Sequence, residues 1–264
     1  MNVLKFLKLG GSLITDKSGV EAPRLDVIER AAKEIAAGLA ASPATRLVVG
    51  HGSGSFGHVS ARRHGTREGV SGADSWRGFA EVSLVAARLN ALVAEALYRA
   101  GVPVLKLQPS ATALCSSGEL VSMEIEPVRR ALDGGLVPLV YGDVAFDRDI
   151  GGTIISTEEI FAYLAREMHP ESIWLAGEVA GVLDSRQQLI TTLASADADN
   201  LRQIVGASGG TDVTGGMASK VLSMLELCAV VPDLTVHIFG GLEDSYIKQA
   251  IAGGTVPGTT LRAD

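Results

Sequence analysis

Short apolar runs alternate with longer amphipathic segments along the chain, and this alternation predicts the secondary structure. Runs rich in Val, Leu and Ile predict β-strands at 3–9, 46–50, 102–107, 136–140, 172–176 and 234–239. Apolar residues at helical spacing predict helices at 24–41, 55–63, 75–100, 125–133, 157–168, 197–206, 216–230 and 243–252. Strands that alternate with helices are typical of βαβ units, so we expect an α/β fold with a mainly parallel central sheet.

One segment, 142–155, departs from this alternation. It is polar, contains Gly151 and Gly152, and lies between two β-rich runs, which predicts a hairpin. This hairpin is the best candidate for a junction in the chain. We therefore expect an N-terminal half over 1–150 and a C-terminal half over 151–264.

Composition limits the classes of function. With 264 residues, 47% of them hydrophobic, the chain can bury a substantial core. A net charge of −7 and scattered Lys and Arg residues argue against a nucleic-acid partner, and no stretch of about 18 uncharged apolar residues indicates a membrane span. Cys115 and Cys228 lack the spacing of a metal site or of a disulfide framework, so we expect a cytoplasmic protein.

Glycine clusters follow the first two predicted strands. Gly10, Gly11 and Ser12 end the first strand, and the glycine-rich run 51–58 follows the second. In open α/β sheets, ligands bind at the carboxyl ends of strands, where backbone N–H groups face anions. Neither cluster has the spacing of the dinucleotide fingerprint or of the nucleotide P-loop.

A third glycine cluster, at 210–220, precedes the predicted helix 216–230. Gly215 and Gly216 permit close approach of the backbone to a ligand, and Asp212 is of a residue type that caps helices. Lys220 lies in the first turn of that helix, where a cation is unfavourable unless an anion binds beside it. The three clusters together predict a site for phosphate groups.

Individual side chains near these clusters suggest roles. Lys8, at the carboxyl end of its strand, should point into the site, whereas Lys17 in the following loop is as easily explained as a solvated lysine. His58, in the first turn of the predicted helix 55–63, is equally compatible with binding an anion and with an ordinary surface position. His51, at the strand end, is expected to be structural. The sequence shows no Cys/His cluster typical of zinc.

Three segments that contain the glycine clusters resemble the amino acid kinase superfamily, and within it the isopentenyl phosphate kinases. They are 8–17, 51–58 and 211–217, and the runs 107–111 and 137–144 match the middle part of that family in order and spacing. The Ser-Phe-Gly-His ending of the second run is shared mainly with fosfomycin-type kinases. The resemblance spans nearly the whole chain.

The resemblance implies an open αβα sandwich whose N-terminal half holds the phosphate acceptor and whose C-terminal half holds ATP. It implies a homodimer that transfers the γ-phosphoryl group of ATP to isopentenyl phosphate, giving isopentenyl diphosphate and ADP. Mg²⁺ is implied by the ATP chemistry and would be held largely by the phosphates, because Mg²⁺ commonly keeps several waters.

The same resemblance implies roles for the matching residues. Lys8 and Lys220 would contact the ATP phosphates, and Lys17 would stabilise the transferring phosphoryl group. His58 would hold the phosphate of the acceptor, with Ser53 nearby. The other positions implied for ATP binding are Gly10, Gly11, Ser12, Gly54, Asp212, Gly215 and Gly216.

The chain departs from the family pattern at two places. Ser156-Thr157-Glu158 stands where the family usually has Ser-Gly-Asp, which puts Thr157 at an acceptor-binding position. Glu178 replaces an Asp beside the nucleotide, and Ala180 replaces a second one. Two alternatives follow: a kinase of the same fold acting on another small acceptor such as fosfomycin, or a nucleotide-binding regulatory or storage protein with a degenerate site.

Overall fold

The computed structural model describes residues 3–201 and 216–264, which form an α/β structure. The strands are β1 Val3–Leu9, β2 Thr45–His51, β3 Val104–Lys106, β4 Leu114–Ser116, β5 Glu119–Ser122, β6 Val137–Tyr141, β7 Asp143–Asp147, β8 Gly151–Ile155, β9 Ser172–Gly177, β10 Thr192–Ala194, β11 Thr235–Gly240 and β12 Thr259–Arg262. The α-helices are α1 Gly11–Ile14, α2 Leu25–Ala41, α3 Gly54–His64, α4 Gly72–Arg99, α5 Glu126–Asp133, α6 Thr157–Met168, α7 Gly216–Val230 and α8 Tyr246–Ala252.

Eight strands form the large sheet, in the order β10-β12-β11-β9-β1-β2-β6-β3. Its described pairs are parallel except for β11 with β12. The first strand thus lies in the interior of the sheet, between β9 and β2. The mainly parallel sheet expected from the alternating pattern is confirmed.

Helices cover both faces of this sheet, because successive side chains of a strand point to opposite sides. On β1, Phe6 packs in a core with residues of α6 and α7, whereas the next residue, Leu7, packs in a second core with residues of α2, α4 and α8. Both side chains are fully buried. Apolar residues at consecutive positions of the strand are therefore explained by two cores, one on each face, and the fold is the expected αβα sandwich.

A second sheet of four strands, in the order β5-β4-β7-β8, lies outside this sandwich. The predicted hairpin 142–155 is its antiparallel pair β7 and β8. Val144 on β7 packs with Phe79 and Val82 of α4 in a small separate core. The hairpin is thus part of a packed layer, and one of its faces contacts apolar side chains although its sequence is polar.

The predicted elements agree with the structure in most places. The six predicted strands are all present, with ends shifted by one or two residues, and β3 is shorter than predicted. The prediction of a helix at 197–206 is wrong for 197–200, which belong to the 3-10 helix Ser195–Asn200, whereas Leu201 is α-helical and 202–206 lie outside the described residues. No helix in the described part of the chain is long and apolar enough to cross a membrane.

Candidate active site at the carboxyl edge of the large sheet

The carboxyl ends of β1, β2 and β9 lie side by side. In the parallel pairing, Leu9 of β1 is opposite His51 of β2 and Ala176 of β9. The chain segments that follow these three strands therefore leave the sheet at one edge. This is the edge at which open α/β folds bind ligands.

The two N-terminal glycine loops pack backbone against backbone at this edge. The Gly52 amide donates a hydrogen bond to the Leu9 carbonyl at 3.0 Å, and the Gly10 amide donates to the Ala176 carbonyl at 2.8 Å. A Cβ atom on Gly11 would lie 2.5 Å from the backbone nitrogen of Gly54. Glycine is required at position 11 because the two loop backbones approach each other too closely for any side chain.

Thr15, which the sequence analysis did not single out, joins the two loops. Its hydroxyl donates to the Gly11 carbonyl at 2.7 Å and accepts from the Ser55 amide at 2.9 Å. Gly54 has a φ of +48° beside this hydroxyl, a conformation that favours glycine. The buried Thr15 side chain therefore fixes the relative position of the first turns of α1 and α3.

Lys8 points into this region, as expected from its place at the end of β1. Its side chain is only 10% exposed, and its ammonium group forms an ion pair with the carboxylate of Glu158, the second residue of α6. Lys220, on α7, lies close enough to Glu158 to influence its ionisation. The first strand, α6 and α7 thus bring two cations and one carboxylate together.

Burial on its own raises the pKa of the Glu158 carboxyl group. The charges of Lys8 and Lys220, together with a hydrogen bond from Lys8, outweigh that effect and hold the pKa below its ordinary value. Glu158 is therefore ionised at neutral pH. The two ammonium groups around this carboxylate supply positive charge of the kind that binds a phosphate group.

The start of α6 is fixed by a capping box. The Ser156 hydroxyl accepts from the Glu159 amide at 3.1 Å, and the Glu159 carboxylate accepts from the Ser156 amide at 2.5 Å. Arg67, in the turn between α3 and α4, donates to the same carboxylate at 3.0 Å. These contacts hold the first turn of α6, and with it Glu158, in one orientation.

Thr157 occupies the position where the family pattern has glycine, and its side chain points into the protein. It is 1% exposed, and its hydroxyl donates to the His51 carbonyl at 2.6 Å. Its methyl group lies over Gly50, where an added Cβ would be 2.6 Å away. The extra side chain therefore fills space between α6 and β2.

Lys17, Arg24 and Glu178 form a second, more exposed charged group at this edge. Arg24 contacts the Glu178 carboxylate at 3.1 Å, whereas the Lys17 ammonium is 3.9 Å from it and its side chain is 73% exposed. All three line a depression together with Thr15 and Asp16. Such exposed pairs contribute little to stability, so these side chains can exchange partners readily.

Ser53 and His58 lie at the start of α3. The Ser53 carbonyl accepts from the amides of Phe56 at 3.0 Å and Gly57 at 3.2 Å. His58, one turn further along, is exposed. The structure thus puts both residues predicted to bind the acceptor at or just before the first turns of the helix that follows the second glycine loop.

The remaining predicted positions are distributed as follows. Ser12 belongs to α1, and Gly216 is the first described residue of α7. Asp212 and Gly215 lie outside the described residues. The part of the third glycine cluster that is described, from 216 onward, includes Lys220.

The donor set of this site suits phosphate groups. Lys8 and Lys220 supply positive charge around Glu158, and Gly10 and Gly11, at the end of the strand that carries Lys8, are only half-buried. Within residues 3–201 and 216–264, no three or more His, Cys, Asp or Glu side chains are grouped to hold a metal ion. The site geometry therefore defines a protein that handles phosphate esters.

The chain belongs to the amino acid kinase family, whose model matches residues 4–240. It is similar to the isopentenyl phosphate kinase of Methanothermobacter thermautotrophicus, with 33% identity over 97% of both chains, and to that of Haloferax volcanii, with 35% identity over 99% of both. A solved isopentenyl phosphate kinase structure matches 97% of this chain and 99% of its own, with a TM-score of 0.79 and 28% identity.

A methyl group at Gly11 should destabilise the fold. We expect Gly11→Ala to lower the free energy of unfolding by about 1–3 kcal/mol, because the new Cβ meets backbone atoms, which cannot rotate away. Gly134→Ala is the matched control, since its nearest contact, 3.4 Å, is ordinary packing. Urea unfolding of both variants measures the effect, and equal midpoints would contradict the close packing of the two loops.

Glu158→Gln should change the pH dependence of stability. The folded-state pKa is below the ordinary value of 4.5, so the carboxylate stabilises the fold above that pH and this contribution is lost as pH falls through the folded-state pKa. The variant should be less stable than wild type at neutral pH, and the gap should close below about pH 4.5. Urea unfolding across this range measures it.

The control for this experiment is Glu95→Gln, which removes an exposed carboxylate paired with Arg99. It should have little effect at any pH, because exposed i,i+4 pairs contribute only about 0.3–0.5 kcal/mol. A stability gap for Glu158→Gln that is the same at neutral and acid pH would refute the ionised carboxylate.

Proposed function

We propose that this protein transfers the γ-phosphoryl group of ATP to isopentenyl phosphate and releases isopentenyl diphosphate and ADP. The observation that carries the proposal is the convergence of Lys8 and Lys220 on the Glu158 carboxylate beside the glycine loops. Similarity to isopentenyl phosphate kinases over nearly the full length of both chains supports the choice of acceptor.

Charge neutralisation and positioning account for the chemistry of the proposed site. Lys8 and Lys220 reduce the negative charge on the phosphate oxygens of ATP, and Glu158 keeps the two ammonium groups in place. Lys17, whose side chain is 73% exposed and only loosely paired with Glu178, stabilises the transferring phosphoryl group. No strong general base is required, because the acceptor is a phosphate monoester that is already ionised near pH 7.

The acceptor phosphate lies, in this proposal, at the start of α3. His58 and the backbone at Ser53 hold it. Thr157 contributes indirectly, by donating a hydrogen bond to the His51 carbonyl at the start of the glycine loop. Gly10, Gly11, Ser12 and Gly54 face the ATP phosphates together with Gly216, and Glu178 lies at the nucleotide side. Asp212 and Gly215 complete this set in the sequence. Mg²⁺ is held by the phosphates and by water.

A hydrocarbon tail on the acceptor is supported by the apolar layer next to α3. The rings of Trp76 and Phe146 are 37% and 52% exposed and contact Phe79, which belongs to the small buried core that packs against Ala61 of α3. A phosphonate acceptor such as fosfomycin is compact and polar and has less use for such a surface. The N-terminal half, 1–150, is accordingly assigned to the acceptor and the C-terminal half, 151–264, to ATP.

We further propose a cytoplasmic homodimer without a nucleic-acid or membrane partner. The two free cysteines are buried and suit a reducing compartment. The edge strand β3 exposes Leu105, and α4 exposes Leu84 and Tyr98, which are 63% and 72% exposed. Apolar side chains at an uncovered sheet edge are typical of surfaces that pair with another chain.

An acceptor panel tests the proposed reaction. With Mg-ATP, we expect ADP release with isopentenyl phosphate and dimethylallyl phosphate, and little with fosfomycin or N-acetylglutamate. The variant His58→Ala should lower kcat/KM for isopentenyl phosphate about a hundred-fold, because a donor to the acceptor phosphate is lost. ADP formation in a coupled assay measures each rate.

The matched control is His169→Asn, at the far end of α6, where the backbone is left-handed and asparagine is tolerated. It should leave kcat/KM unchanged. Turnover of fosfomycin alone would show a kinase of the same fold that acts on a different acceptor. ATP binding without turnover of any acceptor would favour a regulatory or storage protein.

The homodimer gives a distinct prediction about mass. Light scattering coupled to size-exclusion chromatography should give about twice the 27.4 kDa of the chain, because the exposed apolar residues of β3 and α4 are then covered. The value should hold upon dilution. A mass of 27.4 kDa at every concentration would refute the dimer without affecting the proposed reaction.

A further inference from the structure

His51 makes two side-chain hydrogen bonds inside the protein, although it is not expected to touch substrate. Its ring is completely buried at the end of β2. The Nδ1 atom is 3.1 Å from the carbonyl oxygen of Gly52, and the Nε2 atom is 3.1 Å from the amide oxygen Oδ1 of Asn90 on α4, so that both ring nitrogens face oxygen atoms. The ring also stacks on Tyr141 of the neighbouring strand, with 5.6 Å between ring centroids and an angle of 6°.

The environment keeps this histidine neutral. Burial is the largest cause and lowers the pKa of His51. The hydrogen bonds to Gly52 and Asn90 raise it but do not offset burial, and the charge of Lys8 on the adjacent strand lowers it further. The other ionisable neighbour across the sheet is Tyr141, which faces the ring through its aromatic face and whose own pKa is raised by burial and by Asp143. Glu158 is the carboxylate that forms an ion pair with this Lys8.

A neutral imidazole carries one N–H group, and the Gly52 carbonyl can only accept. The proton therefore lies on Nδ1, and Nε2 is left with a lone pair. The partner of Nε2 must then be a donor, which Asn90 supplies through its amide nitrogen once the oxygen and nitrogen of that amide are exchanged, an exchange that leaves the shape of the side chain unaltered.

This arrangement fixes one peptide plane in the second glycine loop. In a trans peptide the C=O and N–H groups point in opposite directions. When the Gly52 carbonyl is held by the His51 ring, the amide of Ser53 must point away from that ring. The His51 carbonyl is held separately, by Thr157 at 2.6 Å. Both ends of the His51–Gly52 segment are thereby constrained.

We propose that Asn90 is a positioning residue for acceptor binding: by donating to His51 Nε2 it selects the Nδ1–H tautomer, which orients the Gly52–Ser53 peptide toward the acceptor phosphate. The inference rests on the proposed function for the identity of the acceptor. The tautomer itself does not depend on that function. Asn90 is buried in the second half of α4 and acts entirely through His51.

The variant Asn90→Asp separates this role from simple packing, because a carboxylate has nearly the same shape but only accepts. At low pH, a doubly protonated His51 can donate to both Asp and the Gly52 carbonyl, and the loop keeps its orientation. As pH rises and the ring loses one proton, the charge-assisted bond to the carboxylate retains the proton on Nε2. The Nδ1 lone pair then faces the Gly52 carbonyl, and the peptide is displaced.

The expected result is a pH-dependent rise in KM for one substrate. Between about pH 6 and about pH 9, the ratio of variant to wild-type KM for isopentenyl phosphate should rise about ten-fold or more, while the same ratio for ATP stays level. Using the ratio cancels the ionisation of His58 and of the substrate. Ala91→Asp, an exposed position on the same helix, adds the same charge as a control and should show no such rise.

A second measurement tests the tautomer without turnover. In wild-type protein labelled with ¹⁵N-histidine, the His51 ring should show a protonated Nδ1 and an unprotonated Nε2 throughout this pH range. A proton on Nε2, or on both nitrogens, would overturn the inference even if Asn90→Asp fails to fold. A flat KM ratio in a folded Asn90→Asp variant would overturn it as well.

These readouts keep the two proposals apart. If wild-type protein does not turn over isopentenyl phosphate, the proposed function fails, and the ring spectrum still decides the role of Asn90 in the tautomer. If wild type is active and the KM ratio stays level, the reaction stands and the positioning role fails.

Discussion

A largely buried carboxylate between two lysines is the interaction around which this edge of the sheet is organised. Taking charged groups out of water costs several kcal/mol per ion, so Lys8 can lie in the interior only with a counter-charge. Glu158 supplies that charge, and its own ionisation depends on Lys8 and Lys220. The end of β1, the first turn of α6 and the first turns of α7 are therefore coupled, and the Ser156 capping box and Arg67 hold the carboxylate in place.

The glycine loops provide the second half of this arrangement. Their backbones approach so closely that Gly11 leaves no room for a Cβ atom, and Thr15 bonds to both loops. Behind them, His51 bonds to its neighbour's carbonyl and to Asn90, while its own carbonyl accepts from Thr157. In the proposed site, backbone held by such contacts needs little rearrangement when a ligand binds, which is the condition for electrostatic stabilisation without reorganisation.

Much of the fold was predictable from local pattern, and the reason differs between elements. The strands at the centre of the sheet are largely buried on both faces, so β1, β2 and β6 are mainly apolar runs that are easily recognised. The short strands β4 and β5 have no such signal, because each is only three or four residues long and is defined by its partners. Likewise, residues 197–200 at the start of a predicted helix form part of the 3-10 helix Ser195–Asn200, because Asp and Asn side chains compete with the helical backbone for hydrogen bonds.

For the site, the sequence by itself determined which residue types are present and which strands they follow. Lys8 after an apolar run, glycines at two strand ends and Lys220 near a helix start sufficed to indicate phosphate chemistry. Only the tertiary structure decided their partners. Glu158, Thr15 and Asn90 have no distinguishing local pattern, and Glu158 is 150 residues from Lys8. Burial is the physical reason: a carboxylate, a hydroxyl or an amide acquires its role when packing removes water and leaves one specific partner within hydrogen-bonding distance.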